Sequence, residues 1–224
     1  QRTEPCSAMN SAMNSAMNSA MKSPLNGAMS AALSSPEHSP PEMRDRFYHQ
    51  LRAYWLAHPN SQPLAEILSS WQAGLGVLPD WLGLSPLDFN RLQRYHFGPI
   101  SSLRHHPQPS KLDHRLDDLR LDLLKLLQLH ARDDSDTVRW MGELIATACQ
   151  GSDHLWEDLG AWNRTSLSDL LQQNFPTLAA KNSRDMKWKK FLFKQLCETE
   201  GIYICRAPTC DECADFNDCF GPED

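Results

Sequence analysis

No aromatic residue occurs in this 224-residue chain before Phe47. That gap limits how much of the chain can join a core. In its place Ser-Ala-Met-Asn recurs from Ser7, Ser11 and Ser15, and a fourth copy at Ser19 ends on Lys22. A four-residue period is too short for a solenoid unit. Small and polar residues of this kind bury too little apolar surface to offset the entropy of ordering. Ser34-Ser35-Pro36 and Ser39-Pro40-Pro41 read as a linker. Residues 1–42 are therefore expected to be a disordered low-complexity tail, with Cys6 a lone thiol in it. Methionine thioethers favour soft metals, but nothing in this tail would hold them in place.

About 180 residues remain, enough for one real core. Their apolar spacing is helical throughout. Phe47, Leu51, Tyr54 and Trp55 lie on a helix over 44–57, ended by His58-Pro59. Pro63 opens a second through Ile67, Leu68 and Trp71, stopped by Gly74 and Gly76. Ser85-Pro86-Leu87-Asp88 is a capped helix start, and the helix breaks at Gly98-Pro99. Residues 103–110 form a loop. A leucine stripe then runs from Leu112 to Leu127, with Asp113, Asp117, Asp118 and Arg120 on the wet side. Further helices are expected over 137–149, over 166–173 with a cap in Ser166-Leu167-Ser168-Asp169, and over 184–200. Only Ile202-Tyr203-Ile204 has strand character. The expected fold is all-α: a single helical domain over 43–200 with an irregular cysteine-rich loop at 201–224.

The bulk properties remove several functions. A net charge of −6 disfavours a nucleic-acid binder. No apolar run approaches the ~20 residues needed to cross a membrane. No secretory apolar region is visible, so a reducing cytoplasm is the expected compartment. There is no Gly-rich phosphate loop, local Ser-His-Asp set or zinc-protease His pair, so a conventional catalyst is not expected.

The chemistry sits at the carboxyl end. Cys205, Cys210, Cys213 and Cys219 follow C-x4-C-x2-C-x5-C. Four soft ligands on one short loop can converge on a single centre. The first three match a C-x4-C-x2-C iron–sulfur spacing. Structural zinc more often pairs two C-x2-C knuckles, and four cysteines also allow three disulfide pairings. Phe216 and Phe220 are the only large apolar residues after Cys205, so metal–thiolate bonds are expected to order this tail. Cys197 is a possible extra ligand or a buried small hydrophobe. His154 is a possible ligand or a helix cap. Cys149 reads as core. His105-His106 and His114 lack a ligand spacing.

Charge changes sign beside the cysteines. Residues 181–194 hold Lys181, Arg184, Lys187, Lys189, Lys190 and Lys194 against Asp185. Residues 198–224 hold Arg206 against eight acids. Lys187, Lys190 and Lys194 share a helical face, either a solvated surface or one that attracts an oxyanion or an acidic partner. Acids around an anionic centre weaken its retention.

The segment from Met186 to Cys197, the closing Cys219-Phe220-Gly221-Pro222-Glu223, His154-Leu155-Trp156-Glu157-Asp158-Leu159-Gly160 and Asn174-Phe175-Pro176 together resemble the NifQ family of nitrogen-fixation proteins. The resemblance is strong from Asp136 to Asp224 and weaker at Trp81-Leu82-Gly83-Leu84 and His96-Phe97. It implies that Cys205, Cys210, Cys213 and Cys219 ligate an iron–sulfur cluster. It further implies that molybdenum, drawn from molybdate, enters a mixed molybdenum–iron–sulfur cluster. The metal would then pass to the assembly scaffold of the nitrogenase iron–molybdenum cofactor, in concert with the nitrogenase reductase. A zinc-stabilised interaction module and an iron–sulfur electron carrier or redox sensor are the alternatives.

Overall fold

Ser39 opens the first helix of the computed structural model, α1 (Pro40–Ala53), where Pro40 takes the first helical position. The structure describes residues 39–99, 111–199 and 216–221. The low-complexity tail up to residue 38, the loop expected at 103–110 with His105-His106, the Ile202-Tyr203-Ile204 segment, and Cys205, Cys210 and Cys213 lie outside them. Ser39-Pro40-Pro41 is thus a helix start and not part of a linker. The Ser39 backbone N–H donates to Glu42 Oε2 at 2.9 Å, and proline is pre-organised for the first helical residue.

Every element among the described residues is helical. After α1 come α2 (Ser61–Gln72), a 3-10 turn (Asp80–Gly83), α3 (Pro86–Phe97), a second 3-10 turn (His114–Leu116) and α4 (Asp117–Leu129). Then follow α5 (Asp136–Ala148), α6 (Leu155–Leu159), α7 (Arg164–Asn174), α8 (Pro176–Ala179), α9 (Trp188–Thr199) and α10 (Phe216–Phe220). The expected all-α fold is what is found.

α2 is buried on nearly every side, including Leu64, Ile67, Leu68 and Trp71, as a helix in the middle of a bundle must be. α1 packs along it, α4 pairs with α5, and α9 lies on α4. α5 contributes Val138, Trp140, Met141, Leu144 and Ile145 to the same core. The leucine stripe serves that core through Leu123, Leu126 and Leu127. It is shorter than expected, because residues 114–116 form a 3-10 turn before α4 begins. Arg120 is not on a wet face: it is about three-quarters buried and bridges to Glu143 at 3.1 Å.

A buried polar knot ties four helices. Asn60, the N-cap of α2, and Asn174, the last residue of α7, exchange amide hydrogen bonds at 2.7 and 2.9 Å. Asn60 also donates to Thr137 Oγ1 at 3.1 Å. His96, fully buried at the end of α3, has Ser61 Oγ at 3.0 Å from Nδ1 and Thr137 Oγ1 at 3.0 Å from Nε2. Burial holds the His96 imidazole down at about 4, with repulsion from His58 adding to it.

Trp81, Leu82 and Gly83 are all left-handed, with φ of 59°, 58° and 80°. Leu82 is fully buried, and a Cβ at Gly83 would meet the Thr147 side chain at 3.0 Å. Burial of Leu82 holds two non-glycine residues in a conformation that costs each roughly 1–2 kcal/mol.

Candidate metal centre

The lead-in to the cysteines is set by a tight turn before α9. Met186 donates its N–H to Asn182 Oδ1 at 2.8 Å, and Asn182 Nδ2 donates to the Met186 carbonyl at 2.9 Å. Asp185 in this turn has φ of +55° and is held by Arg164, whose Nη2 lies 2.7 Å from its carboxylate and 3.0 Å from its carbonyl. The turn interrupts the helical period, so α9 begins at Trp188 and not at Arg184 as the periodicity suggests. Trp188 Nε1 donates to Ser168 Oγ at 2.9 Å, joining α9 to α7.

Lys189 does not belong to a basic surface. It shares its helix face with the buried Phe193 and Leu196, and its ammonium is paired with the Asp158 carboxylate. It also donates to the carbonyls of Gly151 at 3.0 Å and Asp153 at 2.6 Å. Asp158 accepts a further bond from Asp153 N–H at 3.0 Å. Burial pushes the Asp158 carboxyl above the usual range, and Lys189 pulls it back. The pair binds α9 to the His154–Gly160 segment. Lys187, Lys190 and Lys194 are half-buried, and Lys194 meets Glu198 at 3.6 Å.

Cys219 lies on α10. Its carbonyl accepts a hydrogen bond from the Lys187 N–H at 2.8 Å. Phe216 and Phe220 stack with centroids 4.5 Å apart and planes 20° from parallel. The Arg184 guanidinium covers both rings, at 6.0 and 5.4 Å from their centroids. Cys219 and Phe220 pack against the core from partly buried positions. Residues 216–221 thus also make contacts of their own to the domain. The acids of the tail are also not its whole electrostatic setting, since an arginine stands directly over α10.

The remaining candidates are scattered. Cys197 lies on α9, 1% exposed, within the core cluster. Cys149 is 2% exposed at the end of α5. Burial pushes its thiol up to about 12, and the Asp158 charge adds to the shift while Lys189 opposes it. His154 is the N-cap residue of α6, and its N–H donates to Glu157 Oε2 at 3.2 Å. His114 is exposed, 3.5 Å from Asp117. Among the described residues no three His, Cys, Asp or Glu side chains gather as a metal site.

Two functional placements escape a reading of spacing alone. The Lys189–Asp158 pair was signalled only by a lysine on the apolar face of α9. The α10 clasp was signalled only by Phe216 and Phe220 standing four residues apart, the spacing of neighbours on one helical face.

A donor set of cysteine thiolates fits a soft, sulfur-rich metal centre. Cys219 also meets the steric requirement: it is partly exposed, on an element held to the domain by its backbone carbonyl, and its sulfur takes no part in that docking bond.

Comparison with known proteins extends the match. The NifQ family model aligns with residues 63–221, so it reaches well upstream of Asp136 and covers the whole cysteine motif. Protein NifQ of Azotobacter vinelandii is 41% identical over 171 residues, 71% of this chain and 87% of that protein. Protein NifQ of Rhodobacter capsulatus is 36% identical, over 71% of this chain and 87% of that protein. Protein NifQ of Klebsiella pneumoniae is 33% identical, over 67% of this chain and 92% of that protein. No solved structure matches the chain.

Proposed function

This chain belongs to the NifQ family of nitrogen-fixation proteins, and we propose that it is a molybdenum carrier whose cargo leaves from the cysteine tail. In this reading Cys205, Cys210, Cys213 and Cys219 hold an iron–sulfur centre, and molybdenum is the transferable substrate. The centre would supply soft sulfide and thiolate ligands for molybdenum. The protein's own contribution is placement. Asn182, Arg164 and the Lys189–Asp158 pair fix the approach to α9, and Lys187 with Arg184 fixes α10.

The observation that carries the proposal is the extent of the family match. It runs through residue 221 and so includes all four cysteines at intact spacing. The expected recipients are the cofactor-assembly scaffold and the nitrogenase reductase, and the expected role is carriage, not turnover of a substrate.

Anaerobic purification followed by elemental analysis for Mo, Fe, Zn and sulfide tests the reading. Iron, sulfide and molybdenum lost together on changing two of the four cysteines to serine support it. So does a coincident loss of nitrogenase maturation at limiting molybdate. Stoichiometric zinc in a colourless protein would replace it with a zinc-stabilised module. Reversible one-electron cycling without molybdenum would replace it with an electron carrier.

A further inference from the structure

Cys219 is held through its backbone carbonyl and the residues beside it. The Lys187 N–H takes its backbone carbonyl at 2.8 Å, Phe216 and Phe220 stack on each other, and Arg184 covers both rings. Phe220 and Cys219 rest on the core. None of these interactions needs a metal ion, so the clasp can form on the folded domain first.

We propose that Arg184 is a positioning residue for Cys219, clasping α10 through the Phe216–Phe220 pair so that one thiol is set in place before metal binds. This rests on the reading that Cys219 is a metal ligand. The physical reasoning is entropic. A ligand that is already placed loses less conformational freedom on binding.

Arginine suits this role better than lysine. Its guanidinium is planar, always charged and stacks on aromatic faces. Arg184 is itself exposed and lies in the turn before α9, outside the core, so replacing it leaves the helical packing intact. It also stands in the same turn that Asn182 and Arg164 lock, two residues before Met186. Its backbone is therefore fixed, and only its side chain must find the rings.

The test uses the full chain, metal-free, with two readouts. The first is hydrogen exchange at the Lys187 amide. It is expected to be protected in the unaltered chain and to exchange about fivefold faster in Arg184→Ala, the scale of one exposed cation–π contact. Phe220→Ala is expected to remove the protection altogether, and Arg184→Lys to fall between. The second is a cobalt(II) titration followed by the thiolate charge-transfer band. Apparent affinity is expected to fall by a similar factor of about five in Arg184→Ala, at unchanged stoichiometry.

An unprotected Lys187 amide in the metal-free chain would overturn the proposal, as would an Arg184→Ala chain that matches the unaltered one in both readouts. An unaltered chain with no thiolate band would overturn the metal-site reading instead. The exchange result would then decide the clasp alone.

Discussion

The Lys189 ammonium meets the Asp158 carboxylate where the two side chains are 14% and 1% exposed. Its three N–H donors have three acceptors: Asp158, the Gly151 carbonyl and the Asp153 carbonyl. Asp158 also works through its backbone, whose carbonyl accepts from Val77 N–H at 2.9 Å. One residue thus fastens α9, the loop after α5 and the chain after α2. The helix that leads into the cysteine tail inherits its position from this contact.

Breaking one side of that pair should be far worse than removing both. Lys189→Met leaves Asp158 buried without its cation, a loss of about 3–5 kcal/mol. The double variant Lys189→Met, Asp158→Leu should recover a large part of it, because burying two charges is itself expensive. Urea denaturation of the three variants measures this. A Lys189→Met loss below about 1 kcal/mol would mean that the pair behaves like a solvated surface bridge.

The same contact makes a glycine obligatory for reasons of space. A Cβ at Gly151 would lie 2.4 Å from both Cγ and Oδ2 of Asp158. Gly151→Ala should lose at least about 1–3 kcal/mol through forced displacement of the ion pair. Gly142 in α5 is the contrast, since a Cβ there meets Leu124 Cδ1 at 3.5 Å, an ordinary contact. Gly142→Ala should therefore raise stability by up to about 1 kcal/mol, the helix-propensity difference. Thermal melts of the two variants should move in opposite directions, and two downward shifts would refute the steric distinction.

Helix existence was legible wherever one face carried a clear apolar period, as in α2, α3 and α5. Ser85 was legible as a cap because Pro86 and Asp88 follow it, and its Oγ accepts from Asp88 N–H at 3.0 Å. The start of α7 was not. Ser166-Leu167-Ser168-Asp169 offers a plausible cap, yet Asn163 Oδ1 accepts from Ser166 N–H at 2.8 Å and begins the helix earlier. Two candidate caps within three residues cannot be ranked by local preference alone. The end of α1 was set too late for a similar reason: Tyr54 fits the period but is 56% exposed, and the helix stops at Ala53. α6 and α8, of five and four residues, are too short to show a period. The cysteine spacing was legible in full. What it did not carry was the long-range pairing of Arg184 with Phe220 and of Lys189 with Asp158, separated by 36 and 31 residues in sequence.

His96 should make stability fall as the solution is acidified. Its folded pKa lies near 4, below the ordinary 6.5, so the unfolded chain takes up the proton first. Stability from this group is complete above about pH 6.5 and is lost as pH falls toward 4, by roughly 3 kcal/mol over the window. Glu66 acts in the opposite sense, because burial raises its carboxyl pKa and favours the folded state on protonation. The difference between the unaltered chain and His96→Gln isolates the imidazole. Urea midpoints from pH 7 to pH 4.5 should converge for the two proteins as the pH drops, and parallel curves would exclude His96 as the titrating group.

Cys197 and Cys219 should part company when each is replaced. Cys197 faces the core at 1% exposure among Phe193 and Leu196, whereas Cys219 is partly exposed on a docked surface helix. A metal centre needs room for several atoms beside the sulfur, and a close-packed interior offers none. Cys197→Ala is therefore expected to retain full iron and sulfide content and to lose about 1 kcal/mol of stability, the scale of a small buried hydrophobe. Cys219→Ser should lose the metal with little change in the melting of the helical domain. Cys149 supplies an internal control, since its thiol is held at about 12 and should resist alkylation until the chain unfolds. Elemental analysis beside thermal melts separates the two effects, and loss of iron from Cys197→Ala at unchanged stability would make Cys197 a ligand.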